Sequence, residues 1–464
     1  MTSQSPPSDG QAYIQGLLEK ARKAQKQFES FSQENVDKVC KAIGKTIFDN
    51  AEILAQEAVN ETGMGDVASK IRKQRTISMS HWDYIKDKKS VGVIEDDPAS
   101  RVTVYAKPIG VIACITPTTN PTSTACGNGM YAIKSRNAII VAPHPRAKKV
   151  TAHGVNLIRE AIAKAGAPID LMQVIEEPTI DLTKQLMAAC DCTIATGGPG
   201  MVKSAYASGR PSFGVGPGNC QSIMDRGCQD LYPAYVDGTI RCRTTDQGIQ
   251  CNGEQTLHLP VEERDAVLAE FQKQDCYVLH DEAIIDKIRK LLFSPEGAIN
   301  LKVIGLFPYK VAKEVGLDIP ESTKILLVKG KGTLPGEILC REKLCPIVTF
   351  LTWDKFEEGV QNGLTNLSHE GAGHSSVVFS RDPAHIDLVA KTWPVSRLSV
   401  NVANMLAGGN SPIVGFPPTM SLGCGSWGNN SLSENVTYRH LMNTTKVAKP
   451  LDGAPTFDPE KVWA

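Results

Sequence analysis

The chain has 464 residues, 41% of them hydrophobic and 22% charged, enough for at least two domains with ordinary apolar cores. Lys plus Arg and Asp plus Glu number 50 each, which leaves no net basic field for nucleic acid or for an anionic membrane. A small molecule is the expected partner.

Met1 to Gly10 is rich in Ser and Pro and has no apolar core, so it reads as a disordered lead-in and not as a signal or anchor. From Gln11 to Glu61 apolar residues return at helical spacing: Ile14, Leu17, Leu18 and Ala21, then Val36, Val39, Ile43 and Ile47, then Ile53, Leu54 and Val59. Several amphipathic helices open the protein. The first either packs on its own domain or serves as a targeting helix for a larger assembly such as a bacterial microcompartment. Residues 90–94 and 101–105 flank an acidic, Pro-containing turn and predict a β-hairpin.

Strands and helices then alternate. Strands are expected at 110–115, 138–142, 171–175, 192–195 and 212–215, and helices at 123–134, 148–164, 182–189 and 200–208. Short buried strands between helices imply parallel βαβ units, so residues 11–225 predict a doubly wound, nucleotide-type domain. The alternation restarts with helices at 230–240, 264–273, 283–293 and 355–362 and strands at 255–259, 276–279, 324–328, 347–351 and 376–379. This is a second α/β unit, 226–420.

Residues 404–430 are dense in glycine, as a loop over a ligand or subunit contact would be. A return segment, 421–450, includes the strand-like 444–448, and the Pro-rich tail 451–464 is expected to be poorly ordered. No run reaches the roughly eighteen apolar residues of a spanning helix. Without an export signal, a cytoplasmic protein with reduced thiols is expected. The thirteen cysteines form no C-x-x-C pair and no zinc spacing, so no metal is expected.

One thiol stands apart. Most cysteines lie in apolar runs, where they behave as small hydrophobes, but Cys251 sits in the polar, glycine-flanked stretch Gly248-Ile249-Gln250-Cys251-Asn252-Gly253. Glycines let backbone approach a ligand, and Asn252 and the local amides are donors for an oxyanion. The position, in a loop before the first strand of the second unit, lets cofactor and substrate both reach it.

Ordered motifs surround it. They include Thr116-Pro117-Thr118-Thr119-Asn120-Pro121, Pro143-His144-Pro145-Arg146, Ala195-Thr196-Gly197-Gly198-Pro199-Gly200, Gly214-Val215-Gly216-Pro217-Gly218-Asn219, Glu254-Gln255, Glu342-Lys343-Leu344-Cys345-Pro346, Glu370-Gly371-Ala372-Gly373-His374 and Leu422-Gly423-Cys424-Gly425-Ser426-Trp427-Gly428. With these the chain resembles the CoA-acylating branch of the aldehyde dehydrogenase superfamily, over about residues 12–446. The succinate-semialdehyde and sulfoacetaldehyde members are the most similar, with the acetaldehyde and propionaldehyde enzymes close behind.

The resemblance implies a two-domain α/β fold with an oligomerisation element formed by the hairpin at 88–107 and the C-terminal strand, paired across a homodimer or homotetramer interface. It implies that Cys251 attacks an aldehyde, that hydride passes to NAD or NADP, and that a thioester remains for coenzyme A. Asn120 and the Cys251 amide are the implied oxyanion donors. His374 is the implied group that tunes Cys251 or deprotonates CoA near pH 7, and Glu342 the acid that grips the nicotinamide ribose. Hydrolytic relatives carry a water-activating glutamate where this chain reads Phe213 to Asn219, and no carboxylate occurs between Asp191 and Asp225. The thioester is thus expected to wait for CoA.

For the cofactor, Gly197, Gly198 and Gly200 follow a strand and open a helix, placing amides near a pyrophosphate, and Thr118 lies in the neighbouring motif. His144 and Arg146 sit where the ribose is held; with no acid there, Arg146, Lys148 and Lys149 tolerate a 2′-phosphate. Arg241 and Arg243, just upstream of Cys251, are candidates to pair with a carboxylate or sulfonate at the far end of the aldehyde. Three readings of another kind are an acetaldehyde or propionaldehyde enzyme, a non-catalytic cargo protein of a larger assembly, and a phosphate-dependent, glutamyl-phosphate-reductase-like activity.

Overall fold

The structure, a computed structural model, describes residues 9–453 and 456–464. The expected disordered lead-in lies outside the described residues except for Asp9 and Gly10, which begin the first helix.

Four helices open the chain: α1 (Asp9–Phe28), α2 (Gln33–Asp49), α3 (Ala51–Thr62) and α4 (Val67–Ile85). Ser32 and Asp66 fix two of the starts by accepting the N–H groups of Asn35 and Ser69, and Gly63, at φ 68°, ends α3 in the left-handed region. The apolar face of α1, Ile14, Leu18, Ala21 and Phe28, is buried in the first core, and Arg22 pairs with Asp191 at 2.8 Å. The apolar face of α1 is thus packed on its own domain.

The strands β1 (Val93–Asp97) and β2 (Val102–Pro108) form the expected hairpin. Next come β3 (Val111–Thr116), α5 (Pro121–Lys134), β4 (Ala138–Pro143), α6 (Lys148–Lys164), β5 (Met172–Val174), α7 (Ile180–Ala189), β6 (Cys192–Thr196), α8 (Pro199–Tyr206) and β7 (Ser212–Val215). They make a parallel sheet in the order β5-β4-β3-β6-β7. β3 and β4 are buried at every residue, which is why they read as continuous apolar runs. Strand order reverses between β3 and β6, and the crevice beyond their C-terminal ends is where such sheets bind ligands.

The second sheet uses β8 (Cys220–Met224), α9 (Tyr232–Thr244), β9 (Glu254–Pro260), α10 (Arg264–Gln272), β10 (Tyr277–Leu279), α11 (Glu282–Leu292), α12 (Pro308–Glu314), β11 (Leu326–Lys329), β12 (Ile347–Trp353), α13 (Phe356–His369), β13 (Gly373–Phe379), α14 (Pro383–Thr392) and β14 (Val395–Val400). Its order is β10-β11-β12-β9-β8-β13-β14. β8 pairs with β9 and β13, so the division between the sheets falls at 216–219 and not at 225. Cys251 therefore precedes the second strand of this sheet. β8 was hidden by its polar residues: Gln221 is buried, yet it accepts from His258 at 3.0 Å and Asn366 at 2.9 Å, so burial needs no apolar run here.

The last strand, β15 (Met442–Ala448), pairs antiparallel with β2 of the same chain, from Met442 opposite Pro108 to Ala448 opposite Val102. The hairpin and the C-terminal strand thus meet within one chain. The tail ends in a short helix, α15 (Pro459–Val462).

Candidate active site

Of the thirteen cysteines, all free, Cys251 is the one that is not buried. It lines a cavity of about 680 Å³ together with Asn120, Thr196 and Val215 of the first unit and Gln250, Asn252 and Met405 of the second. The loop that carries it is set by backbone geometry. Asp246 and Gln247 hold left-handed φ values of 54° and 53° and Gly248 one of 72°, a conformation that costs a non-glycine residue stability unless its surroundings impose it. On the other side Gly218 presses on the loop, where a Cβ would stand 1.8 Å from the Cys251 carbonyl oxygen. Glycine is required there.

Asn120 occupies the N-cap position of α5 but makes no capping bond; its Nδ2 donates to Thr119 Oγ1 at 3.1 Å. The side chain is thus available to the cavity it shares with Cys251, which brings an amide donor and a thiol from two sheets to one space. Asn252 lines the same cavity, with one N–H of its Nδ2 given to the Met405 carbonyl at 3.0 Å.

The two arginines upstream of Cys251 part company. Residues two apart on a helix point roughly 200° apart: Arg241 faces the cavity, 3.6 Å from Asp237, while Arg243 is fully buried and donates to the Cys345 carbonyl. Arg243 also packs 3.1 Å from the Cβ position of Gly253, so it props the Cys251 loop from beneath and does not line the cavity. The cavity's other cations come from α4, which no local motif announced. Arg72 and Lys73 line it, Arg72 donating to Ser69 Oγ at 3.0 Å and Lys73 to the Thr119 carbonyl at 3.3 Å.

Carboxyls approach the thiol from elsewhere. Glu342 accepts the Gly218 N–H at 3.2 Å, and its own N–H donates to Glu370 at 2.8 Å. Burial and the Glu370 charge push the Glu342 carboxyl up to about 8; burial, then Glu342, push the Cys251 thiol up to about 12, with Arg397 pulling the other way. Glu254 lies beneath the loop, fully turned into the protein, with Oε1 accepting the Asn404 N–H at 3.0 Å. Of residues 213–219, the one lining the cavity shared by Cys251 and Asn120 is Val215. That segment contains no carboxylate.

His374 is buried, its Nδ1 2.9 Å from Ser375 Oγ and its Nε2 without a partner. Burial, then the charge of Arg397, lower it to about 3. Both causes favour the neutral ring, and the imidazole stands beside Gly218, 3.2 Å from that residue's Cβ position.

The aldehyde dehydrogenase family profile matches residues 3–273. The succinate-semialdehyde dehydrogenase (acetylating) of Clostridium kluyveri is 45% identical over 450 residues, covering 97% of this chain and 98% of that one. The chain belongs to the aldehyde dehydrogenase family. A sulfoacetaldehyde dehydrogenase of an Acholeplasma species is 37% identical over 442 residues, 94% of this chain and 90% of that one. Among solved structures, an acetylating aldehyde dehydrogenase from Geobacillus thermoglucosidasius superposes with a TM-score of 0.92 at 35% identity, covering 97% and 98% of the two chains.

An aldehyde dehydrogenase needs a dinucleotide site, and the residues at the β3–β6 crevice fit one. Gly198 begins α8 with no side-chain cap, and a Cβ at Gly198 or Gly200 would meet nothing within 4 Å, so the turn after Gly197 presents backbone to open space. The hydroxyls of Thr116 and Thr196, at the ends of the two strands, are buried without partners, and Thr118 is buried in the adjoining turn. A second cavity, of about 780 Å³, is lined by Lys203, Gly216, Pro217, Arg341, Glu370 and Cys424 among others. At the end of β4, His144 and Arg146 are exposed, with the Arg146 N–H donating to His144 Nδ1 at 3.1 Å. The sequence showed no acid here, but the fold supplies one. Glu61 of α3 accepts the Lys149 and Val150 N–H groups at 2.9 and 2.8 Å, while Lys148 is paired with Glu177.

Proposed function

We propose that this protein is a CoA-acylating aldehyde dehydrogenase that oxidises a short aldehyde bearing an anionic far end, with Cys251 as nucleophile and Asn120 and the Cys251 N–H as oxyanion donors. The observation that carries the reading is the single cavity in which Cys251, Asn120 and Val215 meet under the cations Arg72 and Arg241. The Cys251 thiolate adds to the aldehyde carbon, and the oxygen that becomes anionic takes hydrogen bonds from the two donors. NAD or NADP, held at the glycine turn 197–200 and by Glu342, would supply the acceptor for the hydride that leaves that carbon. The thioester at Cys251 then shares its cavity with Val215, with no carboxylate anywhere in residues 192–224 to activate water, and lasts until the CoA thiolate attacks it and frees the cysteine. Glu342, Thr118, Gly197, Gly198, Gly200, His144 and Arg146 hold the dinucleotide in this reading.

Succinate semialdehyde and sulfoacetaldehyde are the substrates we favour, since both end in an anion that an arginine binds through charge-assisted hydrogen bonds. The relatives named for these aldehydes support the choice. Thirteen free cysteines suit a reducing cytoplasm, and the outer edge of β15, unpaired in the β1-β2-β15 sheet, suits a homodimer or homotetramer. Among the described residues no helix is long and apolar enough to cross a membrane.

The test is an assay of NAD and NADP reduction with succinate semialdehyde, sulfoacetaldehyde, acetaldehyde and propionaldehyde, each with and without CoA. Sustained turnover that needs CoA and favours the two anionic aldehydes is expected. Equal rates without CoA contradict the acylating assignment, and preference for acetaldehyde or propionaldehyde transfers the substrate to the uncharged class.

A further inference from the structure

The donors of the oxyanion hole come from different sheets, and their spacing must be held to a fraction of an ångström for both to reach one oxygen. Asn120 stands at the end of the β3–α5 turn. Cys251 stands on the loop before β9, five residues after Asp246, which keeps a left-handed φ of 54°. α4 connects the two. Lys73 Nζ donates to the Thr119 carbonyl at 3.3 Å, one residue before Asn120, and also to Asp246 Oδ2.

Asp246 is held on every side. Lys70 Nζ donates to the same Oδ2 at 2.9 Å, and the Asp66 N–H to Oδ1 at 3.3 Å. The neighbouring Gln247 donates to Asp66 Oδ2 at 3.2 Å. A Cβ at Gly65 would stand 1.7 Å from Asp246 Oδ1, so the backbone of α4's approach closes on the carboxylate. Lys70, Lys73 and Asp246 are nearly inaccessible, at 3%, 8% and 0% exposure of their side chains. Asp66 also attracts Lys70, so two lysines face two aspartates, and what sets Lys73 apart is its second acceptor, the Thr119 carbonyl. Lys73 is also the member of the cluster that faces the cavity beside Asn120 and Cys251.

We infer that Lys73 is a positioning residue of the reaction, a brace that fixes the Asn120 turn against the Cys251 loop and so sets the geometry of the oxyanion hole. The inference rests on the assignment of Cys251 and Asn120 above. It places a function on α4, outside every motif near the nucleophile. Lys73→Met keeps the Lys70–Asp246 pair and removes the bond to Thr119, so the loop stays anchored while the two donors lose their common tie. Lys73→Arg keeps donors for both acceptors.

Two reactions of Cys251 separate bracing from general structural damage. Acylation by p-nitrophenyl acetate passes through an oxyanion, whereas alkylation by iodoacetamide does not, and neither needs the cofactor. Lys73→Met is expected to slow the acylation burst on the order of 10- to 100-fold while alkylation changes by no more than about twofold, with Lys73→Arg recovering most of the loss. Among the aldehydes, the loss should fall on kcat with KM little changed. An undiminished burst in Lys73→Met, or acylation and alkylation falling together, overturns the brace. A wild-type enzyme that gives no acetyl group on Cys251 by peptide mass overturns the Cys251 assignment and the brace with it, a result distinct from either of those.

Discussion

The cavity on one side of residues 215–217 is walled by Arg72, Lys73 and Arg241, and Asp237 is the one carboxylate among its described lining residues. The cavity on the other side carries Glu370, Arg341 and Lys203, with Glu342 reaching Gly218 between Glu370 and the thiol loop. In the proposed reading, substrate would be met by cations and amide donors, while Glu342 and Glu370 would stand on the side of the dinucleotide. A hydrolytic site would need a base on the substrate side, and there the segment offers Val215. The contrast teaches that the fate of the thioester depends on which face of one short linker holds the carboxylates.

The largest effect expected from breaking this arrangement comes from the thiol itself. Cys251→Ala should lower acyl-CoA formation by at least about 10⁴-fold, since removal of a nucleophile eliminates the covalent route; residual CoA-dependent turnover near the wild-type rate would move the chemistry elsewhere. Asn120→Ala removes one oxyanion donor and should cost about 10²- to 10³-fold in kcat. A loss confined to KM would make Asn120 a binding group instead.

On the cationic wall, Arg72→Ala and Arg241→Ala should each raise KM for succinate semialdehyde by about tenfold, as expected when a charge-assisted hydrogen bond is lost, and leave acetaldehyde kinetics alone. Arg243→Ala should behave differently, lowering stability and activity toward both aldehydes. Equal effects of Arg72→Ala on the two substrates would remove the anion-recognition role.

The smallest effect lies on the acidic side. Burial and Glu342 raise the Cys251 thiol to about 12 in the free enzyme, so iodoacetamide alkylation should climb through pH 7 to 10 without levelling. Glu342 carries a negative charge above about 8, and a negative neighbour disfavours the thiolate. Glu342→Gln should therefore shift the alkylation profile to lower pH. An unchanged profile would show that the carboxyl does not act on the thiol.

Much of this was written locally in the chain. Cys251, Asn120 and the glycine turn at 197–200 are short motifs at the ends of strands, and strands buried on both faces announce themselves as apolar runs. What escaped required contacts between distant segments. Nothing around Arg72 or Lys73 marks them, because their partners Thr119 and Asp246 lie 46 and 173 residues from Lys73. Arg241 and Arg243 look alike in sequence, and only the rotation of α9 sends one to the cavity and the other under the loop. Glu61 is equally silent until α3 is laid against the start of α6. His374 lies against Gly218 beside the Cys251 carbonyl, and the burial that lowers it to about 3 is a property of the packed interior.

The central claim is that the thioester at Cys251 has no base to hydrolyse it and waits for CoA. Rapid mixing of enzyme, succinate semialdehyde and NAD(P) without CoA, followed by mass measurement of the intact chain, tests this directly. A burst of one NAD(P)H per subunit, a lasting succinyl adduct on Cys251, and its discharge on adding CoA are the predicted results. Continuous NAD(P)H formation with no accumulated adduct would contradict the account.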